Sequence, residues 1–174
     1  MKKIISLTVF IFITSYALGI SSNTSNANEL HGLARNLLNW LDTNTTYNGK
    51  VPLPNIIVLP RDEILKEWCS KFWRKCPSDT VIAFYRHRTD TLFILEYEKT
   101  ISKEYYEIII LHELVHYLQD LDGQMYWKTF CLNKIETEAY KTEIKYIQSS
   151  NRNNAIRLIK GIEKGIEEYN KPCT

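Results

Sequence analysis

Apolar positions along the chain change their period several times, and each change marks an element. Leu30, Leu33, Ala34, Leu37, Leu38 and Leu41 recur at helical spacing, which predicts a helix from Glu29 to Leu41. Asn48-Gly49 with Pro52 and Pro54 marks a loop, and the Ile- and Val-rich run Asn55 to Leu59 reads as a short strand. Ile64, Leu65, Trp68 and Phe72 give a helix from Arg61 to Arg74, broken by Pro77-Ser78-Asp79. Val81 to His87 and Thr91 to Tyr97 are strand-like, and Arg88-Thr89-Asp90 turns between them as a hairpin. Ser102 can cap a helix running to Leu121, with Gly123 as its stop. Asn133 can cap another helix reaching Gln148, and Ile156 to Tyr169 forms a last amphipathic helix. The expected fold is α+β, with a small, mainly antiparallel sheet packed on the helix before Leu121 and further helices after it.

The N-terminal pattern belongs to none of these elements. Lys2 and Lys3 precede the uncharged apolar run Ile4 to Tyr16, and Ala17-Leu18-Gly19 supplies small residues for a cleavage site, with Ser25-Asn26-Ala27 as a second candidate. The run is short for a span of about 20 residues. Residues 1–19 are therefore expected to be a signal peptide, 20–28 a Ser- and Asn-rich disordered linker, and 29–174 a single domain of a secreted or periplasmic protein. The chain has 22 Lys and Arg against 20 Asp and Glu, and Lys2 and Lys3 account for the excess. No basic run follows, which argues against nucleic acid as partner, and no second apolar run suits a membrane. Four cysteines, Cys69, Cys76, Cys131 and Cys173, suggest two disulfides in an exported chain. Three pairings are open, with Cys69–Cys76 and Cys131–Cys173 favoured because the first closes a short local loop.

The chemistry concentrates in His112-Glu113-Leu114-Val115-His116, an H-E-x-x-H motif. On a helix, residues four apart share a face, so His112 and His116 present two imidazoles to one point. Glu113 follows the first of them, within reach of a metal-activated water without being a ligand itself. Ile109, Ile110, Leu111, Leu114, Val115, Tyr117 and Leu118 surround these three polar groups with apolar residues. A plain core helix with backbone-bonded histidines would leave the Glu113 carboxylate unexplained, since burying it unpaired is costly.

The motif and the downstream stretch Ile135-Glu136-Thr137-Glu138-Ala139-Tyr140 together resemble the zincin metallopeptidases of the gluzincin type, and small exported members most of all. The resemblance covers Asn55 to Gln148. It implies zinc, peptide-bond hydrolysis with Glu113 as general base, a peptide or protein substrate pairing with a sheet strand, and a glutamate from a following helix as third ligand. Glu136 matches, with Ala139 three positions on, and shares the helix face of Ile135, Ala139, Tyr140, Ile144 and Ile147. Glu138 lies about 200° away, beside Lys141 and Lys145, while Glu143 shares the inward face; both remain alternatives. Asn133 and Glu136 also have the spacing of a capping box. Gluzincins often carry Asp four positions after the ligand glutamate, where this chain has Tyr140.

Tyr85, His87, Tyr126 and Tyr140 are candidates for stabilising an oxyanion. His31 and His87 read as surface residues, and Trp40, Trp68, Trp73 and Trp127 as core. The expected activity is that of an exported zinc metallopeptidase whose metal ligands are His112, His116 and Glu136. The alternative is a non-catalytic zinc-binding or interaction module on the same scaffold.

Overall fold

The computed structural model describes residues 14–69, 81–98, 100–125, 131–150, 152 and 154–169. In chain order the elements are α1 (Thr14–Asn44), β1 (Asn55–Leu59), α2 (Arg61–Cys69), β2 (Ala83–Arg86), β3 (Thr91–Leu95), α3 (Lys103–Leu121), α4 (Leu132–Ser149) and α5 (Ala155–Tyr169). The class is α+β, with five helices and one three-stranded sheet among the described residues.

The strand order is β1-β3-β2. β2 and β3 form the expected hairpin, with Phe84 opposite Phe93 and Tyr85 opposite Leu92. β1 lies parallel to β3, with Asn55 opposite Thr91 and Leu59 opposite Leu95. The sheet is thus mixed and not mainly antiparallel. β1 reaches β3 only after a crossover containing α2 and β2, and parallel strands need such a long connection. β3 is buried at all five positions, so both of its faces are covered. Phe84 and Phe93 stack at 4.8 Å, and Trp68 of α2 meets Phe84 edge-on at 5.1 Å. On the opposite face Tyr85 meets Tyr117 of α3 at 5.7 Å. Alternation along the strands thus separates the α2 side from the α3 side. α3 buries Ile110, Leu111, Leu114, Val115 and Leu118 in the core, which holds the helix bearing the motif rigidly against the sheet.

Ala34, Leu37, Leu38 and Leu41 of α1 are buried as their spacing predicts. The helix also runs back through residues 20–28, which the sequence assigned to a disordered linker. Ser, Thr and Asn are weak helix formers, yet no Pro or Gly between Ile20 and His31 interrupts the hydrogen-bond ladder. Of the expected signal segment, residues 1–13 lie outside the described residues. Among the described residues, no helix is long and apolar enough to cross a membrane.

The ends of α3 follow the sequence signals. Ser102 Oγ accepts the Tyr105 N–H at 3.2 Å. Gly123 adopts a φ of 75°, and the N–H groups of Gly123 and Gln124 then reach the carbonyls of Asp120 and Gln119, each at 2.9 Å. This closes the helix with paired reverse bonds that a left-handed residue permits. α4 begins differently from the expectation. Its cap is Cys131, whose Sγ accepts the Lys134 N–H at 3.4 Å. Asn133 therefore sits inside the first turn, and Glu136 is released from any capping-box role.

No cysteine among the described residues is free. Cys76, Cys173 and the predicted end of the second helix, from Ser70 to Arg74, lie outside the described residues. The two disulfides expected from sequence should make unreduced protein about 4 Da lighter than reduced protein, two hydrogens per bridge. Loss of either bridge should cost about 2–5 kcal/mol of stability. Four alkylatable thiols in exported, unreduced protein would refute the pairing.

Candidate metal centre

α3 and α4 pack side by side, and the side chains that meet between them are those the motif singles out. Ala139 is fully buried at this contact, and its small side chain allows close approach. Glu136 is carried on the same face of α4, one turn earlier. Its Oε2 lies 3.3 Å from His112 Nε2 and its Oε1 lies 3.5 Å from His116 Nε2. The two Nε2 atoms are 3.0 Å apart. Among the described residues these three side chains form the one group of His, Cys, Asp or Glu that could hold a metal ion.

The donor set can be tested against zinc directly. A tetrahedral ion at about 2.0–2.1 Å from each donor sets its donors about 3.3 Å apart. The two Nε2 atoms are 3.0 Å apart, and each Glu136 oxygen faces a different histidine, Oε2 at 3.3 Å from His112 and Oε1 at 3.5 Å from His116, so each nitrogen–oxygen pair lies near that value. Two imidazoles and one carboxylate also match the ligand class of catalytic zinc sites, which keep one position for water or substrate.

Each histidine is oriented from behind. His112 Nδ1 meets the Glu143 carboxylate in a short contact. His116 Nδ1 donates to Gln119 Oε1 at 2.8 Å. Gln119 is fully buried, and its Nε2 donates across to the Ile135 carbonyl of α4 at 3.1 Å. That carbonyl immediately precedes Glu136, so one amide ties the helix of the histidines to the helix of the glutamate. Nδ1 donation leaves each Nε2 as the ring nitrogen that faces Glu136, and an Nε2 that gives up its proton to a metal offers its lone pair at that point. Glu138, the rival third ligand, instead lies 3.4 Å from Gln119 Nε2, behind the site. Glu143, the other rival, contacts His112 from its far side. Tyr140 packs its ring on His112 at 4.9 Å, but the hydrogen bond to the imidazole comes from Glu143.

The electrostatics favour a cation at this point. Burial alone disfavours a charge on His112, but hydrogen bonds to Glu136 and Glu143 outweigh it and raise its pKa to about 10. Burial likewise opposes the Glu136 carboxylate, and the two histidines overcome it, lowering its pKa to about 2. Glu113 stands beside this cluster with its Oε2 accepting the Tyr85 N–H of β2 at 2.8 Å. Its charge is felt at His112, Tyr140 and Glu143.

Of the oxyanion candidates, Tyr85 has its hydroxyl committed to Asp120 at 2.8 Å and Asp90 at 3.1 Å. His87 is exposed in the hairpin turn, and Tyr126 lies outside the described residues. Tyr140 alone touches a proposed ligand. His31 is exposed, while Trp40 and Trp68 pack against the core; Trp73 and Trp127 lie outside the described residues. The sequence reading missed Gln119 and the orienting role of Glu143. Both carried a signal in their spacing: Gln119 follows His116 by three residues, and Glu143 follows Glu136 by two helical turns.

Groups that orient metal-bound histidines are each worth about 10–100-fold in metal affinity. Glu143→Gln and Gln119→Ala should each weaken zinc binding by that order in a chelator competition. Unchanged affinity in both variants would show that the imidazoles need no such support.

Residues 26–160 match the family described as "Domain of unknown function (DUF6647)". No curated protein and no solved structure matches the chain.

Proposed function

The chain belongs to the DUF6647 family, and from that premise we propose, on its own residues, that the protein is an exported zinc-dependent metallopeptidase of the zincin type. The observation that carries the reading is the convergence of His112, His116 and Glu136 at zinc spacing, with Glu113 adjoining. His112, His116 and Glu136 would hold the ion. Bound zinc supplies Lewis acidity that polarises a carbonyl and makes water acidic near neutral pH. Glu113 accepts a proton from water and passes it to the leaving amine. One of its oxygens is fixed by the Tyr85 N–H, which leaves the other to carry that proton.

The sheet supports the choice of an extended peptide as substrate. β3 is flanked on both sides, so it cannot accept a further strand. Among the described residues β2 is an edge, lies next to Glu113, and has outward backbone groups that make no hydrogen bond there and could pair with a chain added beside it. The Lys2-Lys3 start, the apolar run and Ala17-Leu18-Gly19 support export through a signal peptide.

The test joins metal analysis of the full protein to digestion of a mixed peptide library. One equivalent of zinc, with cleavage that stops on chelation and returns with zinc, is the expected result. Stoichiometric zinc with no cleavage of any peptide would instead favour a binding module. Absence of zinc, with no rise in melting temperature on its addition, would mark the motif as accidental.

A further inference from the structure

Edge strands expose alternate backbone groups, and in β2 one of these is already taken. Phe84 and Arg86 stand opposite Phe93 and Thr91, and the Leu95 N–H reaches the Ile82 carbonyl at 2.7 Å. Even-numbered residues of β2 therefore bond inward to β3, while Ala83 and Tyr85 turn their N–H and C=O groups outward. Of those four outward groups, the Tyr85 N–H donates to Glu113 Oε2 at 2.8 Å. The other three make no hydrogen bond among the described residues.

Tyr85 is held at its other end as well. Its hydroxyl donates to Asp120 of α3 at 2.8 Å, and its ring rests edge-on against Tyr117 at 5.7 Å. Both anchors belong to the helix that carries Glu113. The backbone at Tyr85 is thus fixed relative to α3 independently of the carboxylate it serves.

We propose that Tyr85 is a positioning residue that holds Glu113 through its main-chain N–H, and that a peptide added to β2 pairs only with Ala83 and the Tyr85 carbonyl. The proposal rests on the peptidase reading given above. A hydrogen bond to a carboxylate is about twice as strong as one between neutral groups. A peptide carbonyl competing for the Tyr85 N–H would trade the stronger bond for the weaker one and leave Glu113 without its donor. Strand addition must stop short of that N–H, and the base keeps its place whether or not a peptide is bound. A main-chain donor also cannot rotate away as a side chain can, so the free oxygen of Glu113 keeps one direction.

Two measurements test this. In the full-length protein, amide hydrogen exchange should show Tyr85 protected well above Ala83, although both face outward on the same edge. Glu113→Ala should remove the protection at Tyr85 and leave Phe84 and Arg86 unchanged. Equal protection of Tyr85 and Ala83 in the unaltered protein would overturn the proposal, whatever the activity. The second measurement compares Tyr85→Pro with Tyr85→Ala, both zinc-loaded, on a mixed peptide library. Both variants lose the side chain, and only proline loses the N–H, at an outward edge position where its ring is tolerated. Tyr85→Pro should fall at least tenfold below Tyr85→Ala in kcat, with KM and zinc content alike in the two. Equal kcat in the two variants would sink the positioning role while leaving the peptidase reading intact. Absence of all cleavage by the unaltered protein would sink the peptidase reading, and the exchange result would still decide the Tyr85–Glu113 contact.

Discussion

Glu136→Ala is expected to weaken zinc binding by more than about a hundredfold, because a direct ligand cannot matter less than the groups that merely orient one. Among the described residues Glu136 is the one carboxylate that reaches both Nε2 atoms, at 3.3 and 3.5 Å. Without it, two imidazoles on one helix remain, and among the described residues no other ligand would tie an ion to α4. His116→Ala should be equally damaging, since it removes a ligand and leaves Gln119 without its partner. Glu138→Ala is the control: that carboxylate stands 3.4 Å from Gln119 and contacts no ligand, so its loss should cost less than about tenfold. A zinc titration in which Glu138→Ala is the more damaging variant would reverse the assignment of the third ligand.

Glu113→Gln should leave zinc binding intact and reduce peptide cleavage by about 10²–10⁴-fold, the usual worth of a general base. The amide has the shape of the carboxylate, and its oxygen can still accept the Tyr85 N–H that now holds Oε2 at 2.8 Å. The side chain therefore stays in place and loses only its ability to take a proton. Equal cleavage by the variant and the unaltered protein, both zinc-loaded, would remove Glu113 from the mechanism. Loss of zinc together with activity would mean that Glu113 helps hold the ion.

The parts of this molecule that local sequence could announce are those governed by neighbours along the chain. Ser102 and Gly123 bound α3 because capping depends on residues three or four apart. His112 and His116 converge because a helix puts positions four apart on one face. The cap of α4 shows the limit of such reasoning. Asn133 is the stronger capping residue by type, yet Cys131 takes the place. Contacts between elements were harder to read. The parallel pairing of β1 with β3 joins Asn55 to Thr91, and nothing local to either strand chooses its neighbour. Glu113 and Tyr85 lie 28 residues apart, and Glu143 and His112 lie 31 apart. Those pairs arise when apolar faces pack, and periodicity shows which face is buried without showing what it meets.

The central position of β3 also bears on the order in which the chain folds. Its pairing with β2 closes a loop between Arg86 and Thr91, while its pairing with β1 must bring Asn55 to the same Thr91. The sequence separations are 5 and 36 residues. Loop-closure entropy grows with the logarithm of length, which makes the β1 pairing about 1.8 kcal/mol costlier to initiate than the hairpin. The hairpin, already carrying the Tyr85 edge, is therefore the cheap nucleus. β1 adds to a preformed template, on the side of the sheet away from Glu113, so the strand that completes the core is the slow one and the strand that faces the chemistry is the fast one.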